Sequence, residues 1–130
     1  ALHSYFKVSS PDNVTVPHLD SVKFDDKLTG ETVSSLERDN CVGPIDTVYY
    51  NGDSQTLIDT GWQRAIEITN SNTRQWVLWN PGVETADSMV DVHPGGEQEY
   101  VCLEAANTQW QNVPKHSTVT VSQNIAIRAL

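Results

Sequence analysis

The sequence predicts an all-β protein, an antiparallel β-sandwich, and three features carry that expectation. Short segments rich in Val, Ile, Tyr, Trp and Thr alternate apolar and polar residues with period two. Clusters of Gly, Pro, Asn and Asp separate these segments and supply turn chemistry. Only residues 83–91 read as a helical turn, too short to change the class.

The elements follow from those breaks. A strand over 2–8 contains Leu2-His3-Ser4-Tyr5-Phe6 and stops at Ser10-Pro11-Asp12-Asn13; strands over 13–17 and 21–27 come next. A strand over 45–50 runs into Asn51-Gly52-Asp53, and an Asn-Gly pair between Val48-Tyr49-Tyr50 and Thr56-Leu57-Ile58 predicts a hairpin into a strand over 55–59. The strand over 63–69 ends at Asn70-Ser71-Asn72, and the one over 75–80 ends at Asn80-Pro81-Gly82. After Pro94-Gly95-Gly96 come strands over 97–105 and 117–128. There is no internal repeat, charge block or low-complexity linker, so the chain reads as one unit.

Composition narrows the function. A length of 130 residues is that of one domain. Eight Lys and Arg against 17 Asp and Glu give a formal charge of −9, which excludes a sequence-independent grip on nucleic acid or anionic lipid. No apolar run approaches the roughly 18 residues needed to span a bilayer. Cys41 and Cys102 form no CxxC or Cys/His spacing of a zinc site, so no metal is expected. Reduced thiols and the lack of a signal-peptide pattern point to a cytoplasmic protein; the triplet Asn13-Val14-Thr15 carries little weight against that. Ala1 opens directly into an apolar-patterned segment, as expected of a chain cut at its start.

Three strands bring ionisable side chains to what could be one face. Alternation places His3 with Tyr5, opposite Ser4 and Phe6; Asp46 with Val48; and Glu104 with Tyr100 and Cys102. On spacing alone, His3 also reads as a hydrogen-bonded wall residue and Asp46 as a turn cap. Glu104 stands out, because a carboxylate in an otherwise apolar and aromatic row needs a partner or a task. Of Trp76 and Trp79, which point to opposite faces, one at most can meet a ligand. Trp62 and Trp110 read equally as cleft walls or as lids on the core. His18, His93 and His116 read as surface residues, and Arg64 and Arg74 receive no role.

Five motifs sharpen this. Leu2-His3-Ser4-Tyr5-Phe6, Phe24-Asp25-Asp26-Lys27, Ile45-Asp46-Thr47-Val48-Tyr49, Trp79-Asn80-Pro81 with Met89-Val90-Asp91, and Tyr100-Val101-Cys102-Leu103-Glu104 resemble, in order and approximate spacing, the C-terminal half of the glucose-6-phosphate 1-epimerases. These are the hexose-6-phosphate mutarotase branch of the aldose 1-epimerase superfamily. The resemblance implies the C-terminal part of a galactose mutarotase-like sandwich over residues 1–130, with the N-terminal half of the parent chain absent. It implies an isomerase that interconverts the α and β anomers of a hexose 6-phosphate without metal or cofactor. His3 matches the family's general acid, Glu104 its general base, and Asp46 a sugar-binding residue. Two positions depart from the family's usual pattern: Ser4 stands where Thr is usual, and Thr47 where Arg is usual.

The residue types suit that chemistry. Ring opening removes a proton from the C1 hydroxyl while another reaches the ring oxygen, so an acid and a base must both reach the sugar. An imidazole titrating near neutrality suits the first task. A carboxyl raised above its ordinary value of about 4.3 by an apolar row suits the second. His3 and Glu104 are therefore expected to face one cavity. The alternatives are a non-catalytic carbohydrate-binding sandwich and, more weakly, a purely structural β domain, which the lack of a cavity joining His3, Asp46 and Glu104 would favour. A phosphorylated substrate needs positive charge that this acidic chain supplies sparsely, and the expected partner for that task is the N-terminal half.

Overall fold

In a computed structural model describing residues 1–130, the chain forms two antiparallel sheets packed face to face. The larger has the order β1 (Tyr5–Lys7), β9 (Tyr100–Ala106), β8 (Gln75–Asn80), β5 (Ile45–Tyr49), β3 (Phe24–Asp26), β4 (Thr32–Val33). The smaller has the order β10 (Ser122–Ala129), β7 (Arg64–Ser71), β6 (Gln55–Asp59), β2 (Val14–Thr15). One short helix, α1 (Gly82–Ser88), lies where a helical turn is predicted. No helix is long and apolar enough to cross a membrane.

The period-two pattern places the core. On the larger sheet Phe6, Phe24, Ile45, Tyr49, Trp76, Leu78, Val101 and Leu103 point inward; Val14, Leu57, Ile66 and Ile68 answer from the smaller one. Thr47 is also buried, its hydroxyl donating to the Leu78 carbonyl at 3.2 Å, so the position where the family usually carries Arg lies on the core side of β5. Trp76 is fully buried and its indole N–H donates to the Asp53 carbonyl at 2.8 Å. Trp79 lies on the opposite, outer face of the same strand.

Several sequence expectations change. Asn51-Gly52 does not close a hairpin: β5 pairs with β3 and β8, β6 with β2 and β7, and the turn carries the chain from one sheet to the other. Local turn chemistry is overruled by packing: β5 faces the core with Ile45, Thr47 and Tyr49, and β6 answers from the other sheet with Leu57, so the two strands meet as facing layers. The strand expected over 97–105 begins only at Tyr100, because Gly95, at φ 80°, leads into a 3-10 turn over Gly96–Gln98. The strand expected over 117–128 begins at Ser122, and β4 was not foreseen.

Two polar devices hold the frame. Asn80, at the end of β8, donates to the carbonyls of Glu97 at 2.9 Å and Tyr100 at 3.0 Å and accepts from the Gly82 N–H at 3.0 Å, tying the 81–99 loop to the start of β9. Asp59, fully buried at the end of β6, accepts from the Ser9 N–H at 3.0 Å, the Ser9 hydroxyl at 2.5 Å and the Trp62 N–H at 3.3 Å, with Arg64 at 3.5 Å. Asp59 thus fastens the segment leaving β1 to the second sheet. Burial opposes its ionisation, but the Ser9 hydrogen bonds, helped by Trp62 and Arg64, outweigh it and hold its pKa below the usual carboxylate value.

Two outcomes test the frame. Trp76→Ala costs about 4 kcal/mol in chemical denaturation and Trp79→Ala less than half as much, since only the first opens the core. Asp59→Ala costs about 3 kcal/mol near neutral pH. Because the folded pKa of Asp59 is depressed, its contribution is present above the unfolded value of about 3.9 and is lost as pH falls through the folded one. The gap between wild type and Asp59→Ala therefore closes in acid; a gap constant down to about pH 2 contradicts this reading.

Candidate active site

The site is built on the outer face of β9. Val101, Leu103 and Ala105 fill the core, so Tyr100, Cys102 and Glu104 emerge on the other side. Registers decide what stands beside them: Cys102 pairs with Tyr5 on β1 and with Trp79 on β8, and Trp79 pairs with Asp46 on β5. One row across four strands therefore reads Tyr5, Cys102, Trp79, Asp46. A bridge between Leu2 and Ala105, with the Leu2 N–H donating to the Ala105 carbonyl at 2.9 Å, carries the β1–β9 register back to His3 and sets it opposite Glu104.

His3 Nδ1 lies 3.2 Å from Glu104 Oε1. The imidazole stacks on the Tyr5 ring, with centroids 4.8 Å apart and planes within 9°, and meets Trp79 edge-on at 6.2 Å. Tyr5 also touches Trp79 and Tyr100, at 6.4 and 5.1 Å between centroids. The aromatic cluster shields Glu104, whose side chain is 5% exposed, while that of His3 is 50% exposed. The pair therefore joins one buried and one accessible member.

Burial raises the Glu104 pKa above the ordinary carboxylate value; the attraction of His3 lowers it by less, and Asp46 adds a smaller upward push. Burial also raises the Cys102 thiol, with Glu104 adding to it, and pushes the Tyr100 phenol up to about 12. The Tyr100 hydroxyl is shielded from water and has no hydrogen-bond partner. Its donor and acceptor capacity is thus unused within the chain.

His3, Asp46 and Glu104 thus share one face, as alternation predicts, but not one enclosed cavity. Asp46 stands on β5, two strands from β9 and about 10 Å across the sheet at normal strand spacing. The three lie on the open outer face, and the neighbouring depression of about 260 Å³ is walled by Tyr5, Tyr100, Lys7, His93 and Glu99. The missing enclosure is the condition set for the purely structural reading; against that reading stands the direct His3–Glu104 contact. Sequence reasoning overlooked Tyr100 as a polar group of the site, although its place in the row with Cys102 and Glu104 marks it. His18, His93 and His116 are exposed, as expected, and His93 faces Glu99 at 3.3 Å. Trp110 is fully exposed and Trp62 half-exposed with the Arg64 guanidinium over its ring at 4.6 Å, so neither lines the site.

The electrostatics make a stability prediction. A carboxyl with a raised folded pKa binds its proton more tightly in the folded state, so stability falls as pH climbs from about 4.3 through the folded value and is flat above it. Glu104→Gln removes the buried charge and keeps the shape. Its Tm near neutral pH is expected above that of wild type, with the difference vanishing towards about pH 4. A lower Tm for Glu104→Gln at neutral pH contradicts the raised pKa.

Comparison with known proteins places this arrangement. The aldose 1-epimerase family model matches residues 1–127. A Salmonella typhimurium protein named "Putative glucose-6-phosphate 1-epimerase" is 32% identical over 121 residues, 91% of this chain and 40% of its own length. An Escherichia coli protein of the same name is 30% identical over 131 residues, 98% of this chain and 44% of its own. The crystal structure of a "putative mutarotase (YeaD)" from Salmonella typhimurium superposes with a TM-score of 0.88 at 27% identity, over 98% of this chain and 44% of that one. The chain thus spans less than half the length of these relatives. A match over nearly all of its residues establishes that the chain belongs to the aldose 1-epimerase family.

Proposed function

We propose that this chain supplies the acid–base pair of a hexose-6-phosphate mutarotase, with glucose 6-phosphate or a related aldohexose 6-phosphate as substrate. The contact of His3 with a buried Glu104, whose proton affinity burial raises, carries the proposal. With His3 Nδ1 turned to Glu104 Oε1, the remaining ring nitrogen and the remaining carboxylate oxygen are free to meet a sugar lying over the pair. Glu104 takes the proton of the C1 hydroxyl as protonated His3 delivers one to the ring oxygen. The bond from C1 to the ring oxygen breaks and an aldehyde forms. Rotation about C1–C2 presents the other carbonyl face; the two residues, now in opposite protonation states, reverse the transfer and close the ring. Trp79, Tyr5 and Tyr100 offer apolar faces for the sugar's C–H side, and Asp46 an acceptor for a hydroxyl.

The substrate's phosphate needs cations, and the outer face offers few against a net charge of −9. In this reading the 130 residues are the C-terminal half of a larger sandwich, and the preceding half holds the phosphate. Its supports are the length of the relatives and the open side of the sandwich where β1 and β10 form the two sheet edges. There Ile125 and Ile127 are 45% and 63% exposed although their register partners Ile68 and Ile66 are buried.

The test is anomer exchange of glucose 6-phosphate, followed by polarimetry or NMR on the chain joined to its N-terminal half. His3→Asn and Glu104→Gln are each expected to slow exchange by about 10² to 10⁴-fold. Because the base must be ionised and its pKa is raised, the acid limb of kcat/KM lies above the ordinary carboxylate value of about 4.3 and disappears in Glu104→Gln. Unchanged rates in both variants refute the assignment. Sugar binding with no acceleration by wild type identifies a carbohydrate-binding module instead.

A further inference from the structure

We infer that His3, Cys102 and Glu104 form a binding site for a borderline-soft divalent cation of the zinc class, and that the bound cation blocks the acid–base pair. An imidazole nitrogen, a thiol sulfur and a carboxylate oxygen lie within 4.8 Å of one another on the outer face of β1 and β9. Four-coordinate zinc bonds of about 2.0–2.3 Å require donors roughly 3.3–3.6 Å apart. The 3.2 Å between His3 Nδ1 and Glu104 Oε1 already matches that spacing. The sulfur must close by roughly 1.2–1.5 Å at most, and the half-exposed His3 ring, stacked on Tyr5, is the most accessible of the three donors.

The donor set selects the ion. Nitrogen and sulfur with a single carboxylate suit zinc or cobalt, whereas magnesium and calcium demand oxygen ligands. On binding, the S–H proton leaves to solvent as the metal–sulfur bond forms, and a neutral imidazole, a carboxylate and a thiolate balance the two positive charges. A buried carboxylate that is costly on its own becomes fully compensated. Three protein donors leave the tetrahedral shell of such a cation to be completed by water. The sequence hid this cluster because its ligands come from opposite ends of the chain and meet only through the β1–β9 register.

The consequence for activity rests on the acid–base reading above; the binding does not. With Nδ1 on the cation, His3 can no longer become the imidazolium that donates from its remaining nitrogen, and a carboxylate held by the cation is a weaker base at its remaining oxygen. The site is tested by titrating Co²⁺ into the chain joined to its N-terminal half, the same protein used for anomer exchange. One ion per chain is expected, with a thiolate-to-cobalt charge-transfer band in the near ultraviolet that Zn²⁺ abolishes on displacement. Cys102→Ser loses the band, and His3→Ala and Glu104→Gln each weaken binding at least tenfold, in variants whose far-ultraviolet circular dichroism matches wild type. A measurement needing no variant is proton release: about one proton per Zn²⁺ bound in weakly buffered solution above neutral pH. Binding without the sulfur band, or without proton release, overturns the site. In the anomer-exchange assay, Zn²⁺ inhibits and a chelator restores the rate; a bound cation that leaves exchange undiminished overturns the blocking role. A bound cation in a protein with no anomerase activity upholds the site and counts against the acid–base reading alone.

Discussion

The pairing of β1 with β9 sets Tyr5 against Cys102, and its extension through the Leu2–Ala105 bridge sets His3 against Glu104. A slip of one residue would turn His3 and Tyr5 towards the core and bring Ser4 and Phe6 to the outer face. Phe6, buried against the core, is the anchor that prevents it, and Asp59 holds the segment beyond β1 against the second sheet. The same two faces of β9 do both jobs. Val101, Leu103 and Ala105 secure the strand in the core, and that leaves Tyr100, Cys102 and Glu104 nowhere to point but outward.

A shielded carboxylate is an expensive group to keep on such a face. Burial raises the proton affinity of Glu104 more than His3 lowers it, so the charge weakens the fold near neutral pH. Asp59 is the instructive contrast. It is equally buried, but two hydrogen bonds from Ser9 and one from Trp62 overcompensate, and its pKa falls. One carboxylate is satisfied and structural; the other is left short of partners, with a half-exposed imidazole as its neighbour. In the proposed mutarotase, that incomplete satisfaction is what gives Glu104 its proton affinity for the exchange.

Alternation within single strands was legible in the sequence: His3 with Tyr5, Asp46 with Val48, Glu104 with Cys102, and the division of Trp76 from Trp79. So was the sandwich itself, from the density of turn residues. What alternation cannot supply is which strand lies beside which. The Asn51-Gly52 pair predicts a hairpin from local chemistry alone, and only the pairing of β5 with β3 and β8 and of β6 with β2 and β7 assigns them to different sheets. The same ignorance of register hid the direct His3–Glu104 contact and the approach of Cys102 to both. The family resemblance singled out His3 and Glu104, but the row of Tyr5, Cys102, Trp79 and Asp46 emerges only from four strands in register.

The central claim is that His3 and Glu104 act on one sugar as a single device, and a double-mutant cycle on glucose 6-phosphate anomer exchange tests it most directly. If the two residues work in one concerted proton relay, His3→Asn combined with Glu104→Gln loses about as much rate as either change alone, because removing one member already disables the pair. If the losses multiply, the two contribute independently, and the account of a coupled acid–base pair is wrong.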